Sequence, residues 1–173
     1  MDRLWAPWRS EYLKRINSES LRARCFICEA AQAPLSKDHE NLVVYRGKRS
    51  LLMLNLYPYN AGHIMVAPYR HVASLVDLEN EEALDLFTTI RLGLLALGEA
   101  FSPDAFNVGI NIGRDSGAGL EDHVHVHIVP RWRGDTNFMP VLFDTKVISE
   151  SLEKVYEKLS AALKIILERE RRA

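Results

Sequence analysis

Short apolar runs bounded by turn residues recur along the chain, and each has the length of a β-strand. Two of these runs, at 42–46 and 50–54, are joined by a tight three-residue connection that contains Gly47, which is typical of a β-hairpin. Further apolar runs occupy 63–68 and 105–112. The pattern therefore predicts a hairpin followed by two more strands.

Two longer segments show apolar residues at helical spacing instead. The segment from 79 to 101 predicts one long helix, with Asn80 or Asp77 as its N-cap and Pro103 beyond its end. Its apolar positions are Leu84, Phe87, Ile90, Leu94, Leu97 and Phe101. A last helix is predicted after Ser149 as its cap. Its apolar face comprises Leu152, Val155, Tyr156, Leu159, Leu163 and Ile166.

The most regular alternation lies at 123–132, where histidines alternate with β-branched apolar residues. This pattern predicts a half-buried strand with Val124, Val126 and Ile128 toward the core. The opposite face would carry His123, His125 and His127, and Pro130 would end ladder pairing. Residues on one face of a strand are roughly 6.5–7 Å apart, so the first and last histidines should have different roles.

Short connections between the predicted strands indicate an α+β fold, with a mainly antiparallel sheet, one long central helix and a C-terminal helix. We expect an N-terminal arm at 1–24, a domain at 25–140 and a C-terminal helical extension at 141–173. Residues 133–146 are predicted to be irregular. The arm is rich in tryptophan and arginine. It would pack on the domain or on a partner subunit; the alternative is a nucleic-acid surface.

Length and charge exclude several classes of protein. The chain has 173 residues, a size that suits one domain, and a net charge of −1, which provides no field to recruit nucleic acid or a membrane. No apolar run is long enough for a transmembrane helix, and the first residues lack a signal region. We therefore expect a cytoplasmic protein with reduced cysteines.

The histidine cluster suits covalent transfer of a phosphoryl or nucleotidyl group, because a neutral imidazole is a good nucleophile near pH 7. The glycine-rich loop at 113–119 could bind phosphate through backbone N–H groups. Side-chain donors could come from Asn111, Ser116, Arg114 and His63. The alternatives are a zinc site built on His-x-His, which the strand spacing opposes for all three rings, and histidines that merely fill a strand face.

The stretch from His123 to Val129 resembles the signature of the histidine triad (HIT) family, and Gly62–Val66 resembles the family's other signature. The resemblance implies a nucleotide-binding α+β fold, purine nucleotides or dinucleoside polyphosphates as ligands, and a homodimer. It implies that His125 attacks an α-phosphate and forms a nucleotidyl-histidine. It also implies that His127 contacts the phosphate and the leaving oxygen, and that His63 lines the same site.

The resemblance also implies binding roles for two asparagines. Asn55 stands where family members carry a residue for the ribose hydroxyls, and Asn111 stands where an amide lies near the phosphates. Both could instead be simple turn residues. Where many members carry polar phosphate ligands, this chain has Gly119 and Leu120, so the backbone of Gly119, Ser116 or Arg114 would have to take their place.

The segments flanking both signatures are similar to the bacterial branch of diadenosine tetraphosphate phosphorylases. This similarity implies phosphorolysis of diadenosine tetraphosphate to ATP and ADP, with no organic cofactor. The alternatives within the family are a dinucleoside polyphosphate hydrolase and a nucleoside phosphoramidase. A non-catalytic nucleotide-binding protein is an alternative of another class, which the intact triad disfavours.

Cys25 and Cys28 have the spacing of a zinc knuckle, with His71 and His123 as the candidate remaining ligands. The resemblance supports this set, because related proteins use a histidine after the Pro-containing strand and the first histidine of the motif. We therefore expect a structural zinc; a redox pair and incidental cysteines are the alternatives.

Overall fold

The structure is a computed structural model that describes residues 25–143 and 147–172. The predicted N-terminal arm lies outside the described residues. The elements in chain order are α1 (Phe26–Gln32), β1 (Val43–Arg46), β2 (Ser50–Leu54), β3 (Ile64–Pro68), α2 (Asn80–Phe101), β4 (Ala105–Ile110), β5 (Val126–Arg131), α3 (Met139–Phe143) and α4 (Leu152–Arg172).

The five strands form one sheet in the order β1-β2-β3-β5-β4, and every neighbouring pair is antiparallel. This arrangement confirms the predicted α+β class and the β1–β2 hairpin. Strand β5 lies between β3 and β4, so it is hydrogen-bonded on both sides. The residues of β5 are therefore fixed by pairing with both neighbouring strands.

One side of the sheet is covered by α2 and α4, and the main core lies between these layers. The strands contribute to this core the alternate residues Leu52, Leu54, Ile64, Val66, Val126 and Ile128. Helix α2 comes close to the sheet at Gly93, where an added Cβ would lie 2.8 Å from Leu52 Cδ1 and 2.9 Å from Ile64 Cδ1.

The predicted apolar face of the last helix is confirmed, because Val155, Leu159, Leu163 and Ile166 are buried in the main core. This face of α4 packs on α2 and β1 of its own chain and is not available for dimerisation or substrate closure. The domain boundary at 140–141 stays a prediction, although α4 shares its core with the sheet.

The other side of the sheet is only partly covered. Ile27 and Ala30 of α1 pack with strand residues of this side in a second, smaller core. The strand residues are Val43, Leu51, Met53, Met65 and Ala67. Helix α1 therefore covers the β1–β3 part of this side.

Several predicted element ends were wrong. Glu79, and neither Asn80 nor Asp77, is the N-cap of α2, and its backbone N–H donates to Glu82 Oε2 at 2.9 Å. Ser151 caps α4 instead of Ser149, because its Oγ accepts from the backbone N–H of Lys154 at 3.4 Å. In both cases the pattern located the helix but not the residue whose side chain or backbone faces its first turn.

The histidine strand also begins and ends later than predicted. Strand β5 starts at Val126, so His123 and His125 precede it. Pro130 does not end pairing with β4, where it lies opposite Phe106; pairing with β3 ends earlier, at Ile128. The missing N–H of proline is therefore placed on the β3 side, where the ladder has already ended. Strand β4 ends at 110, and the segment expected to be irregular contains α3.

Candidate active site

The two sides of β5 have opposite chemistry, as the alternation predicted. Val126 and Ile128 point into the main core, and His127 lies between them on the other side of the sheet. Pairing with β3 sets this register, because Ile64 lies opposite Ile128 and Met65 lies opposite His127. The buried apolar residues thereby anchor the histidine side.

His125 is buried, and its ring orientation is set by a backbone group. Its Nδ1 lies 2.8 Å from the carbonyl oxygen of His123, so Nδ1–H donates to that oxygen. The neutral ring then carries its lone pair on Nε2, which has no hydrogen-bond partner among the described residues. Burial lowers the pKa of His125, partly opposed by this hydrogen bond, so the ring is neutral near pH 7. Nε2 is therefore a competent nucleophile.

A chain of hydrogen bonds determines the proton position on the neighbouring rings. The backbone N–H of Tyr59 donates to His63 Nδ1 at 3.1 Å, which leaves the proton of neutral His63 on Nε2. His63 Nε2–H then donates to His127 Nδ1 at 3.0 Å. Neutral His127 must therefore carry its own proton on Nε2. His127 thus offers a donor beside the His125 ring, whose centroid is 4.8 Å away.

Burial and the neighbouring imidazoles keep this group neutral. Burial, and then the nearby His127 and His125, lower the pKa of His63 to about 3. Burial, and then His125, lower the pKa of His127 to about 4. A charge on any one ring would be poorly solvated and close to the others. The structure thus brings the three predicted catalytic residues into one group, and their roles in catalysis stay predictions.

Gly109, which sequence reasoning missed, lies opposite His127 on β4. An added Cβ at this position would meet no atom within 4 Å, so the space above this part of the sheet is open. The signal was present in the sequence, because a glycine inside a strand often marks close approach by a ligand or backbone. Gly109 leaves room beside the histidines.

The two candidate asparagines lie at the edges of this group. Asn55 Oδ1 accepts the backbone N–H of Tyr57 at 2.8 Å, so Asn55 has the turn role, and its Nδ2 is also 3.4 Å from His63 Nε2. Asn111 directly follows β4, and the register that pairs Ile110 with Val126 continues toward His125. Their contacts with nucleotide stay predictions.

The glycine-rich loop is exposed, and the structure does not bring its candidate side chains to the histidines. Ser116 Oγ donates to the carbonyl of Gly113 at 2.6 Å, and Arg114 Nε lies 3.5 Å from Glu121 Oε2. The loop needs glycine at Gly113 and Gly117, where φ is 81° and 83°. Phosphate binding by Arg114, Ser116 and the backbone of Gly119 therefore stays a prediction.

A second cluster brings together the four predicted metal ligands. Cys25 is the N-cap of α1, and the first turn of that helix places Cys28 beside it. The backbone N–H of Val124 donates to the carbonyl oxygen of Val72 at 2.7 Å. This hydrogen bond brings together the segments that carry His71 and His123. The four ligand atoms lie within 4.8 Å of one another and belong to Cys25, Cys28, His71 and His123.

The distances fit a tetrahedral zinc. His123 Nδ1 lies 3.2 Å from Cys25 Sγ and 3.4 Å from Cys28 Sγ, and His71 Nδ1 lies 3.3 Å from Cys28 Sγ. Tetrahedral bonds to zinc would separate sulfur and nitrogen by about 3.6 Å. His123 Nε2–H donates to the carbonyl of Pro68 at 2.9 Å, which leaves Nδ1 to bind a metal.

The comparisons with known proteins agree with this geometry. The model of the HIT domain matches residues 36–134. AP-4-A phosphorylase of Mycobacterium tuberculosis is 41% identical over 158 residues, which cover 88% of this chain and 79% of that protein. The chain belongs to the histidine triad family. The predicted resemblance is thereby confirmed, and with it the expectation of a HIT-family enzyme.

Other relatives show how widely the domain is used. Bis(5'-nucleosyl)-tetraphosphatase [asymmetrical] of Schizosaccharomyces pombe is 44% identical over 93 residues, or 54% of this chain and 50% of that protein. A zinc-bound histidine triad protein of Mycobacterium smegmatis has a TM-score of 0.66 and 24% identity, over 84% of this chain and 96% of that one. The latter comparison supports the HIT fold.

Proposed function

We propose that this HIT enzyme splits dinucleoside polyphosphates, with diadenosine tetraphosphate and phosphate giving ATP and ADP as the favoured reaction. The observation that carries the proposal is the pair formed by His125 and His127. The first ring presents an unprotonated Nε2, and the second presents a protonated Nε2 beside it. The name of the Mycobacterium tuberculosis relative supports the choice of substrate.

In the first step, the Nε2 lone pair of His125 attacks an α-phosphorus, and the bond from that phosphorus to the bridging oxygen breaks. The products are adenylyl-His125 and ATP. His127 Nε2–H donates a hydrogen bond to the departing oxygen and lowers the free energy of the charge that develops on it. The carbonyl of His123 stabilises the positive charge of the His125 ring through its bond with Nδ1–H.

In the second step, an oxygen of inorganic phosphate attacks the same phosphorus from the side that the leaving group has vacated. The phosphorus–nitrogen bond breaks, ADP is released, and the lone pair returns to His125 Nε2. Water in place of phosphate would release AMP instead. The hydrolase named among the relatives makes that outcome the second candidate function.

The test is to incubate the enzyme with diadenosine tetraphosphate, with and without phosphate, and to separate the nucleotides. ATP and ADP formed only with phosphate support the phosphorylase. ATP and AMP formed in either case support the hydrolase and contradict phosphorolysis. No product from either incubation contradicts the proposed substrate, provided that the protein is folded and carries its metal.

We infer that the Cys25, Cys28, His71 and His123 cluster holds a structural zinc. Two sulfurs and two imidazole nitrogens are the ligand set that zinc prefers in closed structural sites. Burial raises the pKa of the Cys25 thiol to about 11, so a nearby cation is needed to hold it as the thiolate. Zinc would join α1 to the segment before β5. Thiolate ligands also fit the predicted cytoplasmic location, where cysteines stay reduced.

A homodimer that pairs through β4 also fits the structure. Strand β4 is at the edge of the sheet, and Val108 and Ile110 are 49% and 36% exposed on its helix side. An exposed edge with apolar residues can pair with its own copy across a two-fold axis. In sedimentation experiments we expect the wild-type protein to be a dimer and Ile110→Asp to be a monomer. A monomeric wild-type protein would contradict this proposal.

A further inference from the structure

Tyr59 is an exposed aromatic residue held directly against the buried histidines. Its backbone N–H donates to His63 Nδ1, so the residue cannot move without disturbing that ring. Its own ring lies 4.6 Å from the ring of His63 at 35° and 6.0 Å from the ring of His127 at 31°. Nevertheless 57% of the residue is exposed. A large aromatic surface is therefore available to a ligand next to the catalytic group.

The position of Tyr59 in the group suggests which part of a substrate it would meet. His125 contacts His127, His127 contacts His63, and His63 contacts Tyr59, so Tyr59 stands at the opposite end from the nucleophile. In an in-line displacement, the leaving group departs on the side of the phosphorus away from the nucleophile. The leaving half of the substrate would therefore extend from His127 toward Tyr59.

The chemistry available near Tyr59 favours a base over a phosphate. The histidines are neutral at pH 7, and within residues 25–143 and 147–172 no lysine or arginine hydrogen-bonds to His63, His125 or His127. The loop also exposes Leu56, which is 48% accessible. The ring of Tyr59 offers stacking and the side chain of Leu56 in the same loop offers apolar contact, both of which suit the flat face of a nucleobase. The ring and not the hydroxyl provides this contact.

We propose that Tyr59 stacks against the nucleobase of the leaving nucleotide and so selects substrates that carry a second nucleoside. This inference rests on the proposed function, because it needs a substrate that is cleaved at His125 and has a base on the leaving side. It assigns to the loop before β3 a specificity role that is separate from the chemistry of the three histidines.

The experiment compares two substrates that share the reacting phosphorus and differ in the second nucleoside. Diadenosine tetraphosphate has a leaving nucleotide with a base, and adenosine 5'-tetraphosphate has only triphosphate as the leaving group. In Tyr59→Ala we expect kcat/KM for the first substrate to fall by about 5- to 150-fold, the range that loss of one base–aromatic stack produces. The loss with the second substrate should be several-fold smaller.

Two further variants make the result specific. Tyr59→Phe keeps the ring and should restore most of the activity that Tyr59→Ala loses. Leu35→Ala removes another exposed apolar side chain, one outside both clusters, and serves as the matched control. If adenosine 5'-tetraphosphate binds without turnover, its inhibition constant in each variant provides the same comparison.

The outcomes separate this inference from the proposed function. Equal losses with both substrates would show that Tyr59 only supports His63, and no loss with either would show that it does not contact the substrate; both results overturn the inference. In those cases the wild-type enzyme is still active, so the proposed function survives. A wild-type protein that neither cleaves nor binds either nucleotide overturns the proposed function itself.

Discussion

His123 and His125 are two residues apart, yet their rings donate hydrogen bonds through different nitrogens, Nε2 in His123 and Nδ1 in His125. His123 donates from Nε2 to the carbonyl of Pro68, which leaves Nδ1 facing two sulfurs. His125 donates from Nδ1 to the carbonyl of His123, which leaves the lone pair on Nε2 for the proposed attack on phosphorus. The comparison shows that identical side chains on one segment acquire different chemistry from the backbone oxygen that each one meets.

The comparison also shows that His123 belongs to both clusters. Its side chain lies among the candidate metal ligands, and its carbonyl oxygen orients His125, the proposed nucleophile. A metal bound by its ring would restrain that carbonyl as well. Substitution of His125 should therefore leave metal binding unchanged. Substitution of a metal-binding residue should also change the orientation of the His125 ring and lower activity.

Removing His125, the proposed nucleophile, should give the largest effect. In His125→Ala we expect turnover of diadenosine tetraphosphate to fall by at least about 1,000-fold, because no other described group presents a lone pair at that point. Steady-state assays measure the loss, and metal analysis of the same preparation should find zinc retained. Turnover within tenfold of wild type would show that His125 is not the nucleophile.

Removing one of the proposed metal ligands should affect both clusters. In Cys28→Ser we expect zinc affinity to fall by more than about 100-fold, since changes in the outer shell of such sites already cost about 10- to 100-fold. The melting temperature should fall, and kcat should fall because the His123 carbonyl loses its restraint. Metal analysis, thermal denaturation and kinetics measure the three effects.

The control for this prediction is Gln32→Ser, an exposed change on the same helix. A Cys28→Ser protein with normal zinc content and melting temperature would contradict the proposed metal site.

Acid should destabilise the protein because it protonates the buried rings of His63 and His127. Unfolded histidines bind protons below a pKa of about 6.5, whereas folded His63 and His127 resist protonation down to about 3 and about 4. Their contribution to stability is therefore complete above pH 6.5 and is lost as the pH falls from there toward 4. Denaturant unfolding should show a loss of roughly 2 kcal/mol or more over this interval.

The matched variant for this prediction is His127→Gln, measured in saturating zinc so that acid release of the metal contributes equally to both proteins. Its free energy of unfolding should depend less steeply on pH between 6.5 and 4 than that of the wild-type protein. Identical slopes would show that the cluster does not bury neutral imidazoles.

The smallest effect is expected on the other side of the sheet. Gly93→Ala should lower the free energy of unfolding by about 1 kcal/mol, because the new methyl group pushes on the side-chain ends of Leu52 and Ile64. The loss of stability is small because the terminal methyl groups of Leu52 and Ile64 can move aside. The better helix propensity of alanine offsets part of that loss. We expect kcat/KM to change by less than about twofold. A large loss of activity would show that a change in the packing of α2 alters the geometry of the histidines across the sheet.

Much of the architecture followed from the period of the apolar residues. The hairpin, the long helix, the alternation through Val126, His127 and Ile128, and the apolar face of the last helix were all predicted, because these patterns depend on near neighbours in the chain. Element ends such as Glu79 and Ser151 were not, because a cap depends on which polar group faces the first turn.

The candidate site likewise has features that the sequence predicted and features that only the fold decided. The sequence by itself determined the family, the three histidines and the cysteine pair, because closely spaced residues of special chemistry form a local signal. Only the tertiary structure decided that Cys25 meets His123, that Tyr59 lies on His63 and that the loop at 113–119 is exposed. The first contact joins residues 98 positions apart in the chain, and the second depends on the conformation of the loop before β3. The reactive nitrogen of each ring is set by a carbonyl or N–H that only the folded backbone brings to it.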